Sequence, residues 1–411
     1  MNNKYINFFI SGLFILIIPA LVSGPFLPDL FISILGIFIV FKIIYNRDYN
    51  LINNKISFFF LTFYILLIIS SSFSIDPLFS FQSSLFYFRY LFFILSAYFL
   101  LNFNPKLDIL FLIVALSSFL IISLDGFHEV LFGYNFFGTT KQLVNGRVSG
   151  LFGDELIIGS FLVRLSPLLL SIYLYNASNL KSSYKVFSIL TFTLSSLLIM
   201  FSGERAAFLL LILLVIMLII HYFIYFRLFI KSFLLLFIIF IFLSIPFFVD
   251  ETGSRLKQDL DSHTSLDPNK NQYFSLYSTA FKMFKSKPLI GHGPKIFRIE
   301  CKNSMYAVGN WPCSTHPHNT YLQLLSEVGL LGFLYVISLF LFFVYKIFSS
   351  INRKDSYMKS MAKYSMILSI LINLWPLIPS GSFFNNWLCV FYFIPFGFYL
   401  YYDNFLSRKK I

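Results

Sequence analysis

The sequence predicts an all-α, polytopic membrane protein with about 12 transmembrane helices and one large outer loop. Of the 411 residues, 58% are hydrophobic and 12% are charged, and the mean hydropathy is +0.78. A soluble domain carries about 25% charged residues. The 57 phenylalanines and 25 tyrosines suit lipid-facing and interfacial positions rather than a compact soluble core.

Each membrane span needs about 20 mainly apolar residues. The first five predicted spans cover 5–23, 27–46, 56–74, 84–102 and 107–125. Seven more cover 155–176, 185–202, 206–224, 229–249, 319–346, 360–378 and 384–402. An even number of spans places both termini on the same side of the membrane.

Lysine and arginine collect in the connections that follow every second span. Three short connections on the other side, 24–26, 75–83 and 379–383, contain neither residue. Because basic residues favour cytoplasmic loops, both termini are predicted to be cytoplasmic. The net charge of +13 is explained by these loops, and no zinc spacing, phosphate-cradling loop or basic–aromatic platform indicates nucleic-acid binding.

The spans and loops divide the chain into four predicted segments. Residues 1–125 hold spans 1–5, and residues 126–249 hold a glycine-containing outer loop and spans 6–9. Residues 250–318 form the large outer loop, and residues 319–411 hold spans 10–12. Within the large loop, apolar positions at helical spacing over 271–285 predict an amphipathic helix along the membrane face.

The segment 316–332 joins the large loop to span 10 and carries the most informative pattern. Pro317 can open a helix, because its missing N–H would be unpaired there anyway. A polar stripe follows on one face of the helix: Thr320, Gln323 and Glu327. A carboxylate in an apolar span is costly unless it faces an interior, so the stripe is predicted to point inward. Gly329 and Gly332 are predicted to let a neighbouring helix approach closely.

Three arginines from different parts of the chain are predicted to lie on the outer side: Arg147, Arg205 and Arg255. Arginine binds phosphate in a bidentate manner and stays charged, so such a set suits a pyrophosphate headgroup. The alternative is interfacial snorkelling, which explains most arginines at helix ends. Binding is favoured for Arg205, which lies outside against the usual charge bias.

Two further arginines, Arg89 and Arg164, fall inside spans 4 and 6. An intramembrane arginine indicates a functional site, and structural pairing with an acidic residue is the alternative. The acidic residues considered for that pairing are Asp154, Glu155 and Glu327. His263, His292 and His316 are interpreted as ordinary loop histidines.

Cys301 and Cys313 lie 12 residues apart in the large outer loop, where the compartment should be oxidising. A disulfide between them is predicted. Metal binding by the two cysteines and a histidine is the alternative. Cys389 lies in the last span and is interpreted as a small core residue.

These motifs resemble those of the O-antigen ligases and the related O-antigen polymerases. The family signature is His-Asn, nine residues, then Gly-x-x-Gly, which His318-Asn319 and Gly329–Gly332 reproduce. The turn 202–205 resembles the family's Ser-Gly-x-Arg turn, 147–152 its Arg-x-Ser-Gly-x-Phe run, and 288–294 its Pro-Leu-x-Gly-x-Gly-Pro run. The resemblance is strongest over about 140–335, and Phe333 stands where ligases often carry a small β-branched residue.

The resemblance implies a glycosyltransferase of the bacterial inner membrane, with the large loop and the active site on the periplasmic side. As a ligase it would move a glycan from an undecaprenyl diphosphate carrier to a lipid A–core acceptor. His318 would be the general base, Arg205 a catalytic residue, and Glu327 would orient His318 or line the acceptor path. The remaining residues proposed to bind substrate are Arg147, Arg255, Asn319, Arg164 and Arg89. No cofactor or metal is expected.

Three alternatives remain open at this point. A repeat-unit polymerase would use the same family chemistry to join units on the carrier. A secondary transporter or flippase also has 12 spans, but it usually shows paired halves and broken helices at the membrane midplane. A non-catalytic scaffold for cell-envelope glycans would retain its role without His318.

Overall fold

The computed structural model describes residues 4–138, 147–227 and 265–403. These residues form helices and connecting turns, and no β-strand occurs among them. The all-α prediction is therefore confirmed for the described part of the chain.

The first seven helices are α1 (Lys4–Ile15), α2 (Ile17–Ala20), α3 (Phe26–Asn46), α4 (Lys55–Ser72), α5 (Pro77–Ser84), α6 (Arg89–Phe103) and α7 (Leu107–Phe132). The next five are α8 (Ile158–Asn176), α9 (Ser182–Phe201), α10 (Arg205–Phe226), α11 (Gln272–Ser286) and α12 (Phe297–Glu300). The last three are α13 (Thr320–Ser349), α14 (Tyr357–Asn373) and α15 (Asn386–Tyr402). Short 3-10 turns cover Leu21–Ser23, Tyr49–Leu51 and Gly150–Phe152.

Within the described ranges, eight helices are long and apolar enough to cross a membrane when α5 and α6 count as one helix, Pro77–Phe103. The number is nine if the bent pair Tyr5–Ile15 and Ile17–Ser23 is also one span. The last two predicted spans correspond to α14 and α15, with 17 residues each. The predicted span 229–249 lies outside the described residues. A multi-pass membrane protein is confirmed, and the count of 12 spans stays a prediction.

Two predicted span ends are wrong. Helix α7 continues past 125 to Phe132 and ends at Gly133, which has a left-handed φ of 79°. Gly126 is therefore helical, and a Cβ there would meet the Leu198 side chain at 2.6 Å, so the glycine lets α9 pack closely. Helix α14 ends at Asn373 rather than 378, because Pro376 and Pro379 follow and disfavour continued helix.

The helices form two compact units. The first unit combines Met1–Pro28, Leu100–Lys257 and Phe343–Asn373. In it α8 packs along α14, while α7, α8 and α9 pack pairwise. Serine hydroxyls link these helices: Ser123 and Ser195 lie 3.0 Å apart, and Ser171 donates to the Ala362 carbonyl at 2.7 Å. Small polar residues of this kind tie helices together where lipid offers no alternative partner.

The second unit combines Asp29–Phe99, Gln258–Phe342 and Leu374–Ile411. An aromatic cluster forms part of its core, with Tyr87 and Tyr90 ring centroids 5.1 Å apart and Tyr90 and Phe393 centroids 4.9 Å apart. The packing of rings at these distances buries large apolar surfaces with defined geometry. This unit also contains the described part of the large loop and the His-Asn signature.

The helix predicted in the large loop is confirmed as α11. Asn271 caps it, accepting a hydrogen bond from the Phe274 N–H at 3.2 Å. Its apolar face was predicted to lie on the membrane, but Leu276, Ala280 and Met283 are fully buried against Phe297, Cys301 and Tyr306. The amphipathic pattern therefore reflects the loop's own hydrophobic core.

Candidate active site

The His-Asn signature lies at the start of α13, and Asn319 caps that helix. Its Oδ1 accepts from the backbone N–H groups of Tyr321 and Leu322 at 3.0 and 3.1 Å. Its Nδ2 donates to the Pro376 carbonyl at 2.9 Å. Asn319 thus fixes both the helix start and the loop that follows α14, which places His318 one residue before a rigid helix.

The polar stripe of α13 points inward, as predicted, since Thr320, Gln323 and Glu327 are 5%, 1% and 0% exposed. Thr320 Oγ1 lies 2.8 Å from Ser380 Oγ. Gln323 donates to Ser382 Oγ at 2.9 Å and accepts from the Phe383 N–H at 2.8 Å. The stripe therefore holds the loop 374–385 against the start of α13.

Glu327 organises the other side of the site. Its Oε1 accepts from the Phe297 N–H at 3.0 Å, and its Oε2 accepts from Gln323 Nε2 at 2.9 Å. Glu327 was expected to orient His318 or to line the acceptor path; in the structure its carboxylate holds the backbone of 295–297 in place.

Helix α13 is broken at Gly329, where φ is 73° and ψ is −168°. The turn 288–293 crosses the break and satisfies its backbone groups. Leu330 N–H donates to the Pro288 carbonyl at 2.7 Å, and Gly293 N–H donates to the Glu327 carbonyl at 2.7 Å. A Cβ on Gly329 would collide with the Leu289 backbone. The prediction of a neighbouring helix at this glycine is therefore wrong, because a turn makes the close approach.

His318 has features typical of a functional residue. Its backbone is left-handed, with φ of 56°, and its carbonyl accepts from the Ser380 N–H at 3.0 Å. The half-buried ring stands edge-on to Tyr273, with centroids 5.8 Å apart. A left-handed non-glycine residue costs about 1–3 kcal/mol and persists only where the surroundings enforce it.

The two neighbouring histidine rings, with centroids 4.3 Å apart, differ in their bonding. His316 Nε2 lies 3.1 Å from the Ser380 carbonyl, and its Nδ1 lies 2.9 Å from Thr315 Oγ1. Since a carbonyl only accepts, Nε2 carries the proton and Nδ1 accepts from the hydroxyl. The His318 ring has one long contact, 3.4 Å from Nε2 to Ser314 Oγ, and its Nδ1 bonds none of the described residues.

Both rings are neutral near pH 7. Burial, the adjacent His318 and the charge of Arg298 lower the pKa of His316 to about 3, against a hydrogen bond to Ser380 that raises it. Burial lowers the pKa of His318 from its ordinary value of 6.5. Of the two, His318 therefore presents a neutral imidazole with a nitrogen open to a ligand.

Two half-buried cations, Lys295 and Arg298, lie on the turn held by Glu327. Neither side chain forms a hydrogen bond or an ion pair with the described residues, and Arg298 Nε is buried without a partner. Burial and the Arg298 charge lower the pKa of the Lys295 ammonium. The Arg298 charge also acts on His316.

Arg89 is paired, and its partner is not one of the three acidic residues considered from sequence. Its Nη2 and Nε donate to Asp29 Oδ1 at 2.8 and 3.1 Å. Asn386 donates to the other Asp29 oxygen at 3.2 Å. Both residues of this pair line an apolar cavity of about 540 Å³, together with Gly36, Ile37, Phe41, Phe88 and Phe92 among others.

In the first unit the structure brings together the two arginine motifs. Val148 N–H donates to the Ser202 carbonyl at 3.1 Å, which joins the Arg147 segment to the turn before exposed Arg205. Arg147 Nη2 donates to the Leu156 carbonyl at 2.6 Å. Its Nε is buried without a hydrogen-bond partner among the described residues.

Glu204 anchors this turn. It accepts from the Gly159 N–H at 2.5 Å and from Ser160 Oγ at 2.7 Å, so it caps the start of α8. Burial raises the pKa of Glu204, and the bonds from Ser160 and Gly159 and the Arg147 charge oppose that rise. The carboxylate thus fixes the backbone around Arg205.

Arg164, also in the first unit, is 5% exposed and donates to Asn373 Oδ1 at 3.2 Å. Asn373 belongs to α14, so this contact joins α8 and α14. Arg255 and His263 lie outside the described residues. The joint action of the arginines with His318 stays a prediction.

Cys301 and Cys313 are joined by a disulfide, with Cα atoms 5.1 Å apart. It closes the loop core beside Phe297. His292 is buried, with Nε2 3.0 Å from the Met283 carbonyl and 2.9 Å from Ser286 Oγ, which is consistent with a structural histidine. Across the described ranges, no three His, Cys, Asp or Glu side chains are grouped so as to hold a metal ion.

Residues 190–337 match the family model described as O-antigen ligase. This part of the chain, about a third of its length, is similar to the O-antigen ligase family. The matched range includes His318, Asn319 and the Gly329–Gly332 pair, and the resemblance inferred from these residues is confirmed. The match supports a membrane glycan ligase or polymerase kind of function. No curated protein matches the chain.

Sequence reasoning overlooked the residues that surround the signature of the O-antigen ligase domain. Lys295 and Arg298 directly follow the Pro-Leu-x-Gly-x-Gly-Pro run, and that position is the signal that could have found them. Asp29, one residue after Pro28 near the start of a span, was a detectable partner for Arg89. Ser380 gave no sequence signal, since its role depends on the fold.

Proposed function

We propose that the chain is a glycosyltransferase of the bacterial inner membrane. It moves a glycan from an undecaprenyl diphosphate carrier to a hydroxyl of a lipid A–core acceptor, on the periplasmic side. The observation that carries the proposal is the neutral, open imidazole of His318 within the matched O-antigen ligase domain.

The reaction forms a bond between the acceptor oxygen and the anomeric carbon and breaks the bond from that carbon to the diphosphate oxygen. A sugar hydroxyl is a poor nucleophile at neutral pH, and His318 accepts its proton as it attacks. The diphosphate leaves with the electron pair of the broken bond. The lowered pKa of His318 supports this role, because the ring is unprotonated before the reaction.

The leaving diphosphate needs its developing charge stabilised. Arg205, Arg147 and Arg255 are proposed for this, since guanidinium groups bind phosphate oxygens through paired hydrogen bonds. The shared turn of the Arg147 and Arg205 segments supports two of the three. Asn319 and Glu327 are proposed as positioning residues, because their side chains hold backbone around His318. The proposed reaction is metal-independent, so added chelator should leave activity intact.

A repeat-unit polymerase is the second candidate, favoured by Phe333 at the position where ligases often carry a small β-branched residue. It would use the same base and leaving group, with another carrier-linked glycan as the acceptor. The two functions therefore differ in the acceptor and not in the chemistry argued above.

The deciding experiment is a gel of lipopolysaccharide and of carrier-linked glycan from a strain that lacks this gene. Full-length glycan on the carrier with bare lipid A–core indicates a ligase. A single repeat unit on capped core indicates a polymerase. An unchanged pattern of both pools would contradict the proposal and favour another envelope polymer or a transport role.

A further inference from the structure

We propose that Lys295 and Arg298 bind the phosphate oxygens of a lipid-linked diphosphate, and that the cavity between α3 and α6 holds part of its apolar chain. The inference rests on the proposed function for the identity of the ligand. It assigns the diphosphate contact to two residues of the large loop rather than to the arginines of the first unit alone.

The first argument is the unbalanced charge at this turn. Lys295 and Arg298 are three residues apart and half-buried, and neither forms an ion pair with a carboxylate among residues 4–138, 147–227 and 265–403. Placing two like charges together in a partly desolvated position is unfavourable unless an anion joins them. The Glu327 charge acts on both cations, but its carboxylate oxygens accept hydrogen bonds from the Phe297 N–H and from Gln323, not from Lys295 or Arg298.

The second argument is the way the turn is held. Glu327 accepts from the Phe297 N–H, and Lys295, two residues earlier, has a left-handed φ of 63°. The backbone conformation of the turn is thus enforced from within, while both charged ends remain available. An ammonium and a guanidinium together match the several oxygens of a diphosphate.

The third argument favours a lipid-linked ligand over a soluble one. The cavity is lined mainly by apolar side chains, and Asp29 and Arg89 are its charged lining residues. The Arg89 charge also acts on Lys295, which links this lining residue to one of the two cations. A ligand with an anionic head and a long apolar chain fits both features, whereas free pyrophosphate fits only the cations.

The test measures binding of undecaprenyl diphosphate and of inorganic pyrophosphate to the full-length protein in nanodiscs. Lys295→Gln and Arg298→Gln should each weaken undecaprenyl diphosphate binding about 10- to 100-fold, the usual effect of removing a charged hydrogen bond. Lys302→Gln removes an exposed charge from the same loop and should change binding less than about twofold. Lys295→Arg, which keeps the charge, should retain most of the affinity.

A fourth variant tests the cavity. A Cβ on Gly36 would make ordinary contacts, 3.5 Å to Phe92 Cβ and 3.7 Å to the Arg89 carbonyl, so Gly36→Leu fills the space without a backbone clash. It should weaken undecaprenyl diphosphate binding about tenfold and leave pyrophosphate binding unchanged. Gly12→Leu, in open space on another helix, is its control.

Wild-type affinity in both Lys295→Gln and Arg298→Gln, with normal thermal unfolding, overturns the inference. Two results together would contradict a lipid-linked ligand. The wild-type protein would bind pyrophosphate as tightly as undecaprenyl diphosphate, and Gly36→Leu would leave undecaprenyl diphosphate binding unchanged. If these variants also transfer glycan normally, the inference fails while the proposed function stands. If the wild-type protein neither binds undecaprenyl diphosphate nor transfers glycan, both the inference and the proposed function are contradicted.

Discussion

Two turns of the molecule each contain a buried glutamate that accepts a hydrogen bond from backbone N–H, but their basic side chains are bonded differently. In the arginine turn (147–160 and 202–205), buried Glu204 binds backbone N–H groups, and Arg147 donates to a backbone carbonyl. In the histidine turn (288–300 and 314–320), Glu327 also binds a backbone N–H group, that of Phe297. Here, however, the two cations donate no hydrogen bond to the described residues, and one imidazole nitrogen is open.

The difference shows that a buried glutamate beside basic residues need not neutralise them. A carboxylate that is filled by backbone donors shapes the turn and leaves the cations for a ligand. On this criterion the histidine turn is the stronger candidate for direct contact with the reacting groups. Variants of both turns can break or sharpen that ranking.

The largest effect is expected for His318→Ala, which should lower the transfer rate by about 100- to 10,000-fold, the usual contribution of a general base. His316→Gln should retain much more activity, because both nitrogens of its ring are bonded within the protein. The measurement is transfer to purified acceptor by equal amounts of folded enzyme. Near-wild-type transfer by His318→Ala would remove its role as base and favour the scaffold alternative.

Arg205→Ala should lower transfer by about 100- to 1,000-fold if Arg205 stabilises the leaving diphosphate. Arg227 is the matched control, since it is an exposed arginine at the opposite end of the same helix α10. Arg227→Ala should leave the rate within about twofold. Equal transfer rates for Arg205→Ala and Arg227→Ala would indicate that Arg205 only anchors the helix end at the membrane interface.

Gly329→Ala should destabilise the protein more than Gly153→Ala does. Both glycines have positive φ, 73° and 63°, so each substitution strains the backbone by about 1–2 kcal/mol. Only at Gly329 would the new methyl group also meet backbone, that of Leu289, which adds about 1–3 kcal/mol. The thermal unfolding midpoints of the two variants compare these costs; equal midpoints would contradict the close approach of the turn 288–293.

The smallest expected effect is the dependence of the free energy of unfolding on the pH. The pKa of His316 is about 3 in the folded protein, below its ordinary value of 6.5, so the unfolded chain binds more protons between these values. The contribution of His316 to stability is therefore full above pH 6.5 and is lost as pH falls, by about 1 kcal/mol between pH 6.5 and 5.5. Unfolding at both pH values should show a smaller loss in His316→Gln. A loss of the same size in that variant would assign the effect to other groups.

Much of the fold could be predicted from sequence, because lipid imposes simple rules on length and hydropathy. The helix in the large loop and the inward polar stripe also follow from periodicity. The end of α7 was predicted too early, because Gly126, His128 and Glu129 interrupt the apolar run inside the helix. The end of α14 was predicted too late, because residues 374–378 are still mainly apolar. The break at Gly329 escaped prediction because its cause, the turn 288–293, lies about 40 residues away in sequence.

For the candidate site, the motif was sufficient to select His318, but the tasks of its neighbours depend on the fold. Asn319 appeared as a binding residue and acts as a helix cap. Glu327 appeared beside His318 in sequence, yet its carboxylate bonds residues some 30 positions earlier. A pattern indicates which side chains share a face, and only the tertiary structure shows which partner each side chain meets.

The broken helix α13 has a consequence for how the protein is assembled in the membrane. A span that is bonded only to itself can insert early, but α13 leaves the Leu330 N–H and the Glu327 carbonyl to be paired by the turn 288–293 and by Ser70. Unpaired backbone groups are costly in lipid. We therefore expect this span to reach its bent shape late in biogenesis, after the loop has folded onto it, and a newly inserted chain to lack the proposed activity until then.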